Sequence, residues 1–317
     1  MAAAMLLSGC SGKNSSDFPS TEQDKKVVMT IGGEDVEYQE YRYFLLNNKR
    51  DQFGEDAALT EEDCETLKEL VEANVKNRHT LTIMADEWGV KLTDDEEQAI
   101  DTYVKQYRAS CGDDETYLLA LEQQYMTHDL FYDLMAESQL AYSVLDYMKS
   151  TGMIATGDEA VDAALASDEI ICIKEIYVEF LSAEAKDYAK GRAEEALAAL
   201  KAGGDFVELM GEYSDYSEEY LSPEHGYYTM KYDALDEIWE AAIGLDEGEY
   251  SGVVESPYGY HIVLRCPKDE AYMNENADEI FENYTYSKFY EEFYKFYNNL
   301  TPVYTDYGKS LDLAAVE

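Results

Sequence analysis

The spacing of apolar and polar residues predicts a chain that is helical in its first half and mixed in its second. The stretch KKVVMTIGG predicts a strand that ends in a turn at Gly32 and Gly33, and a second short strand follows at 35–37. From there to about residue 150, apolar residues recur every three to four positions, as on the buried face of a helix. Two such stripes consist of Leu67, Leu70, Val71 and Val75, and of Leu130, Phe131, Leu134, Leu145 and Met148. We expect both stripes to face a core.

Two threonines mark helix starts in this half. Thr60 and Thr93 are each followed three positions later by an acidic residue, Asp63 and Glu96. A carboxylate at that position can accept hydrogen bonds from the free amides of the first turn and interacts favourably with the helix dipole. We therefore expect one helix to begin at each threonine.

The pattern changes after about residue 153. GDEAVDAALASDE is a short helix or a linker, and IICIKEIYVEF is rich in the β-branched residues that favour a strand. An alanine-rich helix at 182–202, the short helix DFVELMGEYS, a brief strand, the helix ALDEIWEAAIG and strands at 250–255 and 260–266 follow. That order predicts a compact α+β domain.

The segment 271–300 is again helical in pattern and unusually aromatic. Phe281, Phe289, Phe293 and Tyr297 share one face, and Tyr286, Tyr290 and Tyr294 lie beside them. The helix either packs both faces into the helical part of the protein or presents an aromatic surface to client proteins. An exposed aromatic surface of that extent would need a function.

Composition indicates a globular protein that does not bind nucleic acid. Of 317 residues, 46% are hydrophobic and 29 are tyrosines, enough to build the cores of two domains. The 68 acidic and 24 basic residues give a formal charge of -44, which repels phosphate backbones and anionic headgroups. The sequence contains no CxxC motif or His/Cys cluster, so we expect neither a metal nor a redox cofactor.

The N-terminal stretch MAAAMLLSGCS is apolar and ends in Leu7-Ser8-Gly9-Cys10. It resembles the lipobox of bacterial lipoproteins, in which a signal peptidase cuts before a cysteine that receives a diacylglyceryl group. The resemblance implies a signal segment at 1–10, lipidation of Cys10 and a position on the outer face of the bacterial cytoplasmic membrane. An apolar start with an ordinary cysteine is the alternative. The polar residues 11–24 predict a flexible tether.

Three stretches of the second half form a more specific pattern. They are the strand at 174–178, LKAGGDFVELMGEYSD at 200–215, and AAIGLDEGEYSGVVESPYGYHIV at 241–263. In this order and spacing they resemble the parvulin-type peptidyl-prolyl cis-trans isomerases over residues 168–268. The resemblance implies a parvulin-like α+β domain with a four-stranded antiparallel sheet, which isomerises X-Pro bonds without a cofactor or metal.

The flanking segments ADEWGVKLTDDEEQAI and MTHDLFYDLM, with a helical tail, resemble the extracytoplasmic foldases of the SurA and PrsA kind. In those proteins N-terminal helices and a C-terminal helix form a chaperone-like lobe, and the parvulin domain is inserted between them. The resemblance implies a helical N-terminal domain at 25–153 and a C-terminal helical segment at 269–317 that packs on it.

The resemblance also assigns site residues. Parvulins use two histidines on neighbouring strands, a Cys or Asp beside them, and a Met or Leu plus Phe around the proline ring. The second histidine is matched by His261, the first is replaced by Glu175, and the Cys or Asp is replaced by Tyr216. The implied proline pocket consists of Leu235 (or Ala234), Ile238, Trp239 and Tyr258. Because the polar trio keeps one member and the pocket lacks its usual aromatic residue, we expect weak isomerase activity.

The same comparison predicts contacts on both faces of the central strands. If 171–179 and 259–266 are neighbours, Glu175 faces His261, and a carboxylate within about 4 to 6 Å favours an ion pair. Cys172 and Cys266 then lie on the opposite face with the parity of neighbours, which permits a disulfide. For the two remaining cysteines, at positions 64 and 111, the sequence predicts no geometry.

These observations favour a lipid-anchored foldase that binds unfolded or newly exported, X-Pro-containing polypeptides. Two alternatives stay open: a chaperone or holdase whose parvulin fold is inactive, and an acidic scaffold lipoprotein. Glu175 and Tyr216 favour the holdase over the foldase. The Gly-Tyr-His sequence that ends at His261 favours either over the scaffold.

Overall fold

The structure, a computed structural model, describes residues 18–182, 185–216 and 225–316. They divide into two units: one contains the residues up to Ser150 and those from Glu292 onward, and the other runs from Thr151 to Glu291. Cys10 and the predicted signal segment lie outside the described residues. In the part that is described, no helix is both long and apolar enough to cross a membrane.

The first unit is built from amphipathic helices and short antiparallel strands. Its elements before Ser150 are β1 (Val27–Ile31), β2 (Glu34–Glu37), α1 (Tyr38–Phe53), α2 (Glu61–Trp88), α3 (Asp94–Ser110), α4 (Asp114–Glu122) and α5 (His128–Ser150). The predicted caps are present, since Thr60 and Thr93 each form a reciprocal capping box at the starts of α2 and α3. The predicted stripes face the core: their buried members are Leu67, Val71, Val75, Leu130, Phe131 and Met148.

The last residues of the predicted tether pack on this unit. The Ser20 hydroxyl donates a hydrogen bond to Asp129 at 2.6 Å. The ring of Phe18 lies 6.0 Å from that of Tyr117. Residues 18–24 therefore belong to the packed lobe in the structure.

A buried network of charged side chains joins β2, α1, α2 and α5 of the first unit. The Arg78 guanidinium lies 2.8 Å from Glu40 and 2.5 Å from Glu137. The His79 ring bridges two carboxylates, at 2.5 Å from Glu34 and 3.1 Å from Glu40. Because a buried charge without a partner is costly, removal of any one of these side chains would destabilise the packed helices.

The second unit is organised around a four-stranded antiparallel sheet. Its elements are α6 (Asp158–Ala166), β3 (Ile170–Glu179), α7 (Lys186–Lys201), α8 (Phe206–Tyr213), β4 (Tyr227–Met230), α9 (Asp236–Ile243), β5 (Val254–Glu255), β6 (Gly259–Cys266), α10 (Glu270–Glu275) and α11 (Ala277–Tyr297). The strand order is β4-β3-β6-β5, and every neighbouring pair is antiparallel. The predicted α+β fold with a four-stranded antiparallel sheet is confirmed.

Helices cover both faces of this sheet. On one face Ile176, Val178 and Ile262 pack with apolar residues of α7 and α8. On the other, Ile173 and Val263 pack with the apolar residues of α9. Side chains alternate between the faces of a strand, so Glu175, Tyr177 and His261 project on the side of α9.

Most of the aromatic C-terminal helix also belongs to the second unit. Met273 of α10 and Ile280 of α11 are buried in a cluster that includes Ile170 and Met230. The Tyr284 hydroxyl donates to Glu169 at 2.6 Å. Within the segment 271–300, the residues up to 291 are therefore part of the sheet-containing unit.

The end of the chain completes the first unit. It forms β7 (Val303–Tyr304), which pairs with β1 in a sheet of order β2-β1-β7, and then α12 (Asp306–Lys309). The approach is close: a Cβ atom on Gly308 would lie 2.1 Å from the carbonyl oxygen of Val28. Only glycine fits at this contact.

Candidate active site

The two central strands of the second unit bring Glu175 and His261 together. In the register, Tyr177 lies directly opposite His261, and Glu175 lies opposite Val263. The Glu175 side chain therefore reaches diagonally across the strands, and its carboxylate contacts Nδ1 of His261. Both residues are buried, with exposed fractions of 8% and 2%. The predicted contact is present.

The other ring nitrogen of His261 is held by Ser256, in the turn between β5 and β6. The Ser256 Oγ lies 2.7 Å from Nε2 of His261. The same oxygen accepts hydrogen bonds from the backbone amides of Tyr258 at 3.1 Å and Gly259 at 3.2 Å. The hydroxyl also lies 3.4 Å from the carbonyl oxygen of Gly259. Both ring nitrogens of His261 therefore have a polar partner, Ser256 on one side and Glu175 on the other.

An aromatic stack continues the site away from His261. The ring of Tyr177 lies 4.9 Å from that of His261 and 4.6 Å from that of Tyr216. The Tyr177 hydroxyl donates to the carbonyl of Tyr258 at 3.2 Å. Burial, and then the charge of Glu175, raise the pKa of Tyr216 above its usual range. The Tyr216 phenol therefore holds its proton more tightly than an exposed tyrosine does.

Gly259 allows the strands to approach closely at this point. A Cβ atom there would lie 2.5 Å from both the ring of Tyr177 and the carbonyl oxygen of Val178. The first residue of β6 must therefore be glycine for Tyr177 to stack on His261.

The segment before Tyr216 is fixed along β3. The amide of Asp215 donates to the carbonyl of Tyr177 at 2.7 Å, and the Asp215 carboxylate accepts from the amide of Glu179 at 3.0 Å. Arg192 of α7 binds the same carboxylate at 2.9 Å. These contacts hold Tyr216 beside Tyr177.

The predicted proline-pocket residues differ in how far they are exposed to solvent. Ile238 of α9 is 4% exposed and packs with Ile173 and Val263, while Trp239 is half-buried beside it. Leu235 and Tyr258 are 37% and 60% exposed.

Sequence reasoning missed Ser256, Tyr177 and Gly259 as parts of the site. The available signal was the turn Ser-Pro-Tyr-Gly, which begins five residues before His261. Within the described ranges, no group of three or more His, Cys, Asp or Glu side chains is arranged to hold a metal ion.

Comparisons with known proteins place this site within a segment that matches a known family. A family model described as the rotamase PPIC-type PPIase domain matches residues 171–266. The chain is 28% identical over 276 residues to foldase protein PrsA of Halalkalibacterium halodurans, covering 86% of this chain and 72% of that protein.

Among solved structures, PrsA of Bacillus subtilis is similar at 24% identity with a TM-score of 0.30, covering 87% of this chain and 93% of that one. PrsA of Bacillus anthracis is similar at 19% identity with a TM-score of 0.39, covering 71% and 94%. Residues 171–266 of this chain are a PPIC-type, or parvulin, peptidyl-prolyl isomerase domain, and the chain around them is similar to PrsA foldases.

Proposed function

We propose that this protein is an extracytoplasmic foldase, anchored by a lipid on Cys10, that binds unfolded exported chains and isomerises their X-Pro bonds weakly. The observation that carries the proposal is the chain of contacts from Ser256 through His261 to Glu175, beside Tyr216, in a domain of the parvulin family. The similarity to PrsA over most of the chain supports the foldase role.

The chemistry requires stabilisation of a twisted amide. Rotation about the X-Pro bond removes amide resonance, with a barrier of about 18 to 20 kcal/mol, and localises the lone pair on the prolyl nitrogen. A hydrogen-bond donor fixed beside that nitrogen lowers the barrier, because the donor interacts more strongly with the transition state than with the planar substrate. The Tyr216 hydroxyl is suited to this role, since a phenol is a donor at neutral pH and its ring stacks on Tyr177 beside His261.

His261 acts indirectly in this proposal. Both of its ring nitrogens are already bonded, to Ser256 and to Glu175. It is a positioning residue that holds the Glu175 carboxylate, and the carboxylate together with Tyr216 forms the polar wall that faces the twisted amide.

The site explains why the activity is expected to be weak. Glu175 adds an acceptor where parvulins have a histidine, and so the site has fewer donors. Ile238 is already packed against the sheet, which leaves Leu235 and the half-buried Trp239 as the apolar surface for a proline ring. A partly open surface excludes less water from the amide than an enclosed pocket.

A prolyl-peptide assay tests the proposal. We expect wild-type turnover above the uncatalysed rate, and a drop in kcat/KM of about tenfold, or about 1.4 kcal/mol, in Tyr216→Phe, which removes only the donor. The matched control is Tyr188→Phe, the same change at an exposed position of α7 in the same unit. Equal activity of Tyr216→Phe and wild type would refute the role of this hydroxyl.

A holdase without turnover is the second candidate, and the replacement residues Glu175 and Tyr216 favour it. The same preparation is tested for suppression of the aggregation of an unfolded client. Suppression without prolyl turnover would favour the holdase, and the absence of both would favour an acidic scaffold.

The lipid anchor is tested separately. Cells that express the full chain are labelled with a radioactive fatty acid and fractionated. We expect label and membrane association in wild type and neither in Cys10→Ala. Unchanged fractionation of the variant would refute the anchor.

A further inference from the structure

Two free thiols face each other on the central strands of the parvulin domain. Cys172 of β3 and Cys266 of β6 are direct partners in the register. Both are buried, with exposed fractions of 0% and 8%. Their parity places them on the sheet face opposite Glu175 and His261.

The backbone geometry at this pair is compatible with a disulfide. The amide of Arg265 donates to the carbonyl of Glu249, and the carbonyl of Arg265 accepts from the amide of Gly248. Both partners lie on the side of β6 that faces away from β3. Backbone groups alternate in direction along a strand, so those of Cys266 point toward Cys172 and the two form a hydrogen-bonded pair. Such pairs have Cα atoms about 5.5 Å apart, within the range of about 4.4 to 6.8 Å that disulfides span.

The two sulfurs are in different environments. The Cys172 Sγ lies 3.1 Å from the carbonyl oxygen of His225, and this side chain is fully enclosed. The hydrogen bond between the thiols, and then burial, raise the pKa of Cys172. The hydrogen bond from Cys172, and the charge of Lys174 on the same face, lower the pKa of Cys266. Cys266 is the last residue of β6 and keeps some exposed surface, whereas Cys172 has none.

We propose that Cys172 and Cys266 form a redox clasp, in which Cys266 reacts first with an external disulfide and Cys172 resolves the product. The Cys266 thiolate attacks one sulfur of a small or protein disulfide, forms a mixed disulfide and releases the other sulfur as a thiolate. Cys172 then gives up its proton and attacks Cys266 Sγ, which releases the second thiolate. The two protein thiols lose two electrons, and the external disulfide gains them and becomes two thiols.

The disulfide would join the first and the last strand of the segment that the family model matches, residues 171–266. A cross-link there restricts the unfolded state of nearly the whole domain. The proposal does not depend on isomerase activity, since neither thiol lies on the site face.

The test uses the full chain and glutathione. The protein is equilibrated at rising ratios of oxidised to reduced glutathione, quenched in acid, alkylated under denaturing conditions and digested for mass spectrometry. We expect a peptide cross-linked between Cys172 and Cys266, with Cys64 and Cys111 as internal references. Absence of this cross-link at ratios that modify Cys64 would overturn the proposal.

Single variants test the order of reaction. In Cys172→Ser we expect glutathione to remain on Cys266, and in Cys266→Ser we expect Cys172 to stay unmodified. The reverse pattern would overturn the assigned roles. These experiments use a Trp88→Phe background, in which Trp239 is the one remaining tryptophan, and its native fluorescence verifies that the second unit is folded in each variant. Oxidation should lower the unfolding equilibrium constant reported by Trp239 at least tenfold in wild type and leave it unchanged in Cys172→Ser.

Discussion

Asp133 of α5 provides a direct test of the buried charge network in the first unit. It lies one turn before Glu137, which binds Arg78. Burial raises the pKa of Asp133 from 3.8 to about 7. The charge of Arg78 opposes the shift, and the charges of Glu137, Asp129 and Glu40 add to it. Ionised Asp133 is therefore a destabilising group in the folded lobe.

The sign and size of the effect follow from linkage. The folded state holds the proton of Asp133 more tightly than the unfolded state, so stability falls as pH rises from about 4 to about 7 and then levels off. A shift of about three pH units at about 1.36 kcal/mol each sets an upper limit of about 4 kcal/mol. We expect Asp133→Asn to unfold like wild type at pH 4 and to be more stable at pH 8 by at least about 1 kcal/mol.

The assay is urea unfolding at several pH values in a Trp239→Phe background, where Trp88 of α2 is the only tryptophan. Trp88 stacks on Tyr147 at 5.7 Å within the first unit, so its fluorescence reports on that unit. The matched control is Asp146→Asn, the same change at an exposed position of α5. A stability difference between Asp133→Asn and wild type that does not grow from pH 4 to pH 8 would refute the reasoning.

Three further predictions address single contacts. Burial lowers the pKa of His79, but the neighbouring carboxylates outweigh it and raise the pKa to about 9. The stabilisation of the folded state by charged His79 is therefore complete below about pH 6.5 and is lost as the pH rises through 9. In His79→Gln the free energy of unfolding, measured with urea, should vary less with pH between these values. Thr93→Ala should cost about 1 kcal/mol by removing the cap of α3, while Thr93→Ser should not, as urea unfolding will show. Gly259→Ala should destabilise the second unit by about 1 to 3 kcal/mol, because its Cβ atom clashes with the carbonyl of Val178. Urea unfolding followed by Trp239 fluorescence in a Trp88→Phe background measures this, and an unchanged midpoint would contradict the close approach.

Local rules predicted the parts of the fold that depend on neighbours in sequence. The capping boxes at Thr60 and Thr93 follow from residues three positions apart. The alternation of side chains along β3 and β6 placed Cys172 and Glu175 on opposite faces, once the family resemblance had made the two strands neighbours. These predictions needed only the regular spacing of residues along a helix or strand and the knowledge that β3 and β6 are neighbours.

The remaining features of the fold and of the site depend on contacts between residues far apart in sequence, which the spacing of residues along one helix or strand does not indicate. The buried charge network draws its side chains from four elements, and nothing in their sequence spacing indicates it. They are Glu34, Glu40, Arg78 and Glu137. The bonding of Ser256 to His261 depends on how the turn folds back. The predicted strand at 250–255 is regular only at Val254–Glu255, because the amide of Ser251 bonds the carbonyl of Val263 outside a regular ladder.

The pairing of Cys172 with Cys266 also has a consequence for how this protein could change in evolution. The two ends of the isomerase domain lie on adjacent strands, about 5 Å apart. A segment with ends so close can be exchanged at the gene level without moving the flanking chain apart. The replacement would also have to cover the apolar residues of α6, α10 and α11 that pack on Met230, because these helices lie outside residues 171–266 but within the same unit.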